Sequence, residues 1–130
     1  MNIHTIAKFI YGLFGGAFII VGLSVAMFKS GFLPEWAEQT IVKLGDNNLN
    51  GIHLIQELGS LLVFAGLVSF WFIKNYEQSI GFHWALTAFW ALLALAHWFD
   101  VRGMRSMTGP MINSIPFVLF TVVGILRSKK

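Results

Sequence analysis

Residues 9–28 read FIYGLFGGAFIIVGLSVAMF, twenty positions without one charged side chain. A helix of that length rises about 30 Å, the thickness of a bilayer's hydrocarbon core. A cleaved signal peptide would carry an apolar run of only about 7–15 residues and end at a small-x-small site. Here Lys29-Ser30-Gly31 follows, so the stretch is expected to be a retained first span. The whole chain agrees with this. Its 130 residues are 56% apolar and 12% charged, with a mean hydropathy of +0.71. Soluble domains carry about 25% charge, so an ordinary soluble domain is excluded. Three prolines and thirteen Phe exclude a disordered or collagen-like chain, and the length allows one domain over residues 1–130. With no cysteine, disulfides, thiolate metal sites, iron–sulfur ligation and Cys nucleophiles are all excluded.

Outward from the first span, three further apolar runs cover about residues 50–73, 80–99 and 111–126, with Lys74-Asn75-Tyr76-Glu77-Gln78 as a tight turn. The expected fold is all-α, an integral membrane four-helix up-down bundle. An even number of spans sets both termini and the Lys74 turn on one side. That side carries Lys8, Lys74, Arg127, Lys129 and Lys130 against Glu77 alone. The other carries Lys29, Lys43, Arg102 and Arg105 against Glu35, Glu38, Asp46 and Asp100. By the positive-inside rule the termini are expected in the cytoplasm. The basic excess sits at span ends without interleaved aromatics, which argues against a nucleic-acid partner. In the one long outer loop, Pro34 as a helix start and Gly45 as a stop bracket a short amphipathic helix. Its apolar face is expected to be Trp36, Ala37, Thr40, Ile41 and Leu44, with Glu35, Glu38 and Lys43 toward water.

Polar residues gather in the outer half of this scheme. Asn50, His53, Gln56, Glu57 and Ser60 share one face of the second span. Glu57 lies roughly 10 Å along the helix from Asn50, where an ionisable group is costly unless paired, hydrated or protonated. The third span carries a stripe of His83, Thr87, Trp90, Ala94 and His97, with Asp100 one turn beyond. Equal distance from the turn near Glu77 pairs Glu57 with His97 and His53 with Asp100, and Asn113 with Ser114 enters from the fourth span.

Three readings of this cluster stand side by side. It can be an interhelical hydrogen-bond and ion-pair cluster that includes Arg102. It can be a hydrated pocket binding a polar head group, an amphiphile or a partner helix, lined by His53, Gln56, Glu57, His97, Asp100 and Asn113. Or it can be a divalent-metal or acid–base site in which His53, Glu57, His97 and Asp100 are ligands and Glu57 or His97 the catalytic group. Haem b would need two His at similar depth on separate spans, and only His53 and His97 qualify.

Small residues mark helix contacts. Gly12 and Gly16 form a small-x-x-x-small pair, with Gly15, Gly22 and Ala26 extending the surface and Gly59 and Gly66 answering on the second span. Trp71, Trp84 and Trp98 fall at interface depth, Trp90 at mid-membrane, Pro110 in the first turn of the fourth span and Pro116 inside it.

The stretch Glu57-Leu58-Gly59-Ser60-Leu61-Leu62-Val63-Phe64-Ala65-Gly66-Leu67 resembles the Glu-then-glycine second helix of DoxX-like small membrane proteins, and Lys8 with Gly12 and Gly22 resembles their opening helix. With chain size and the long first loop, the resemblance covers about half the chain. His53, His97 and Asp100 have no place in that pattern, and Lys8 stands where Arg is more usual. The resemblance implies a bacterial inner-membrane protein, sometimes an accessory to membrane redox enzymes, and assigns no catalytic residue. The expectation is a small membrane protein that binds an amphiphile or serves as an accessory subunit or homo-oligomer, ahead of catalysis.

Overall fold

The computed structural model describes residues 2–28, 33–44, 49–99 and 108–129, except the side chains of Leu44, Thr108, Ile112 and Asn113. Asp100, Arg102 and Arg105 lie outside the described residues. Among those described, the protein is all-helical: α1 is Ile3–Ala26, α2 Glu35–Leu44, α3 Leu49–Lys74, α4 Ile80–Phe99 and α5 Thr108–Ser128. Three of these, α1, α3 and α4, are long and apolar enough to cross a membrane. The fourth expected span is the 21-residue α5, whose described apolar part, Ser114–Ser128, is shorter.

Local chemistry accounts for the ends. Helix α1 starts before the apolar run because Asn2 caps it: its Oδ1 accepts from His4 N at 3.1 Å and its carbonyl accepts from Ile6 N at 3.1 Å. Pro34 opens α2 by accepting from the Ala37 and Glu38 amides. Ser79 opens α4, its carbonyl accepting from His83 N at 2.9 Å. Pro110 lies in the first turn of α5, and Pro116 inside it leaves the Ile112 carbonyl without its helical donor.

Packing divides the chain into two units, Tyr11–Trp71 and Met1–Ile10 with Phe72–Lys130. In the first unit, α1 and α3 run antiparallel with their backbones at close approach. A Cβ on Gly22 would stand 2.5 Å from the Gly59 carbonyl oxygen, and one on Gly66 2.7 Å from that of Gly15. The contact pairs recur every seven residues on each helix, a spacing that keeps one seam facing its partner. This corrects the expected register: a Cβ on Gly16 would meet nothing within 4 Å, and the close-packed glycine of that turn is Gly15. Several glycines in a row draw several candidate stripes, and only the partner helix selects one.

Helix α2 closes this unit through a core of Phe28, Ile41 and Ile52, flanked by Val25, Leu33, Val42 and Ile55. Of the expected apolar face, Ile41 enters this core while Trp36 is 73% exposed. Anchoring Ile41 in the core sets the helix phase, and at 100° per residue Trp36 then points well away from it.

In the second unit α4 and α5 are antiparallel, since His83 reaches Phe120 near one end and Trp98 Nε1 donates to Ser114 Oγ at 2.9 Å near the other. The expected stripe is the buried face of α4 through His83, Thr87, Trp90 and Ala94. Gly124 makes room for it, because a Cβ there would lie 2.7 Å from His83 Nε2.

Candidate functional site

Two polar places emerge, one near each end of α3. Near its start, His53 and Glu57 stand one turn apart on the same face, with Nε2 and Oε1 3.3 Å apart. Their side chains are 71% and 60% exposed, so the pair is displayed on the helix surface. Asn50 is exposed as well, and Gln56 turns toward the unit's interior, its Nε2 lying 3.5 Å from the Phe28 carbonyl. Ser60, one turn beyond Gln56, donates to that residue's carbonyl.

Of the other expected site residues, His97 is half-buried on α4 and its Nδ1 lies 2.8 Å from the Leu93 carbonyl of its own helix. A carbonyl offers only lone pairs, so Nδ1 carries the hydrogen and Nε2 is the ring's other functional atom. Asp100 and the Asn113 side chain lie outside the described residues. What the structure brings together is therefore His53 with Glu57. Among the described residues no three of His, Asp and Glu gather where they could hold one metal ion.

The second place is at the other end of α3, where the N-terminal turn of α1, the turn 75–79 and the last turn of α5 meet at Tyr76. His4 Nδ1 lies 3.2 Å from the Tyr76 hydroxyl, and Lys8 Nζ sits 4.8 Å from the centre of its ring. The buried Arg127 guanidinium stands 4.6 Å from the same ring and 5.5 Å from Phe72. Its Nη2 donates to the Tyr76 carbonyl and, at 3.1 Å, to Ser79 Oγ. Burial pushes the Tyr76 hydroxyl above the ordinary 10.0, Arg127 pulls it partly back and Glu77 adds to the rise, so the phenol stays protonated.

Next to this hub, fully buried His83 packs edge-on against Phe72, Trp84 and Phe120, and its Nε2 donates to the Phe120 carbonyl at 2.9 Å. Sequence reasoning reads Arg127 as a topology marker, Lys8 as a topology marker and part of the opening-helix resemblance, and leaves Tyr76 in a plain turn. The missed signal is the placing of Tyr76, Ser79 and Arg127 at one depth, with Gly124 opening space one turn before Arg127. No family model, curated protein or solved structure matches the chain.

Proposed function

We propose that the protein is a four-span, up-down integral membrane protein that works by binding. Its polar end around His53 and Glu57 takes a polar-headed amphiphile or a partner subunit, without catalysis. The observation that carries this reading is the exposed His53–Glu57 pair on a helix apolar enough to cross a membrane. Lipid tails offer an ionisable pair neither hydration nor hydrogen bonds, so such a face calls for a head group, a second helix or water beside it. The meeting of the N-terminal turn, the turn 75–79 and the end of α5 at Tyr76 supports the up-down path, with α5 as the fourth span. Positive charge at that end supports cytoplasmic termini, and the DoxX-like pattern from Glu57 to Leu67 supports a bacterial inner-membrane setting.

The test is a photo-crosslinking amino acid at exposed Leu54, beside the pair, introduced into the full chain in native membranes. The expected product is one discrete adduct, a lipid-sized mass or a defined protein band, lost in Glu57→Leu and retained in Glu57→Gln. A smear of bulk-lipid products unaffected by either substitution would remove the binding reading.

A further inference from the structure

We propose that the basic end around Tyr76 is a binding site for the phosphate of an anionic phospholipid, with Lys8 as its exposed arm. The site shares no residue with the His53–Glu57 pair and stands or falls independently of it.

Two cations share the Tyr76 ring, Lys8 Nζ at 4.8 Å and Arg127 at 4.6 Å from its centre. They can be no farther apart than those two distances together, so an anion that Lys8 holds beside the ring also lies in the field of Arg127. Lys74 and Lys129 are exposed on the adjoining helix ends. Against these four cations the described residues of this unit set one carboxylate, exposed Glu77. The local excess of positive charge therefore favours an anion, and juxtamembrane basic clusters attract acidic head groups for this reason. Arg127 is held by Tyr76 and Ser79, which makes it a fixed element of the site, whereas Lys8 is exposed and carries its charge to the ring on a long aliphatic stem.

The apolar surroundings select a lipid over a free anion. Phe9, the residue after Lys8, is 64% exposed, and Phe82, its ring tilted against that of Phe72 with centres 5.8 Å apart, is exposed too. A soluble phosphate gains nothing from these rings. An acyl chain below a bound head group covers them.

The experiment uses the purified full chain in a neutral detergent, read by native mass spectrometry and by thermal unfolding. Phosphatidylglycerol and phosphatidylcholine of the same acyl chains are added in parallel, with inorganic phosphate at the same concentration as a third arm. The expected result is retained phosphatidylglycerol adducts and a raised melting temperature, with phosphatidylcholine and phosphate giving neither. Lys8→Gln is expected to lower the adduct fraction roughly fivefold, the effect of one juxtamembrane cation. Lys8→Arg is expected to restore it, and Lys43→Gln on α2 to leave it unchanged. Because Lys8 is exposed, Lys8→Gln is expected to keep the cooperative melt that shows it folded. Equal retention of the two lipids, full retention in Lys8→Gln, or protection by inorganic phosphate equal to that by the lipid would overturn the proposal.

Discussion

Arg127 carries a full charge into a buried position at the end of α5, and the Tyr76 carbonyl and Ser79 hydroxyl meet it there. Hydrogen bonds to a charged donor contribute about 1.5–3 kcal/mol each, and removing the donor leaves buried acceptors unsatisfied. Arg127→Leu is therefore expected to destabilise the protein by about 2–4 kcal/mol in a denaturant melt. Lys at this position would recover only part of that loss, since a single ammonium cannot reproduce the planar fork over the Tyr76 ring. Tyr76 gives a prediction in pH. Its folded hydroxyl titrates above the ordinary 10.0, so the neutral phenol's contribution to stability is complete below that value and is lost as pH rises through the folded one. In a Tyr11→Phe background, absorbance of the remaining tyrosinate is expected to develop above pH 10.0 and to shift back toward it on unfolding. The shared face of His53 and Glu57 is legible from spacing alone. Their pairing within α3 is not, because periodicity states which residues share a face and leaves open whether a side chain finds its partner one turn away or across the bundle.

At the scale of helices, the α1–α3 seam is decided by glycines with no room for a methyl group. Gly22→Ala would press Cβ to 2.5 Å from the Gly59 carbonyl oxygen, which only separation of the backbones relieves. Overpacking of this kind costs typically about 1–3 kcal/mol, and Gly66→Ala, at 2.7 Å from the Gly15 oxygen, is expected to match it. Gly16→Ala meets nothing within 4 Å and is expected to be neutral or stabilising by up to about 1 kcal/mol, from helix propensity. Unfolding of the three variants side by side in mixed micelles checks both signs. The bounds of α4 and the existence of α2 follow from the sequence because charge, Pro and Gly punctuate them. The phase of α2 does not: Trp36 and Ile41 belong to one expected apolar face, and only the contact with Phe28 and Ile52 shows that Ile41 is the one in the core.

For the whole molecule, the reading of a membrane protein rests on composition and on three helices of spanning length, both visible in the sequence. The number of crossings is the harder quantity, because α5 carries Pro110, Asn113 and Pro116 in its first half and its apolar part is short. The proposed return of α5 across the bilayer rests on the first turn of α1 and the last turn of α5 both meeting the turn 75–79 at Tyr76. Since the chain has no cysteine, single-cysteine variants report sidedness without background. The decisive measurement is labelling of Asn2→Cys, Glu38→Cys, Gln78→Cys and Lys129→Cys by a membrane-impermeant maleimide in sealed vesicles of known orientation. The account predicts that positions 2, 78 and 129 are labelled from one side, the cytoplasmic one, and position 38 from the other. Labelling of position 129 from the same side as position 38 would contradict the four-span fold.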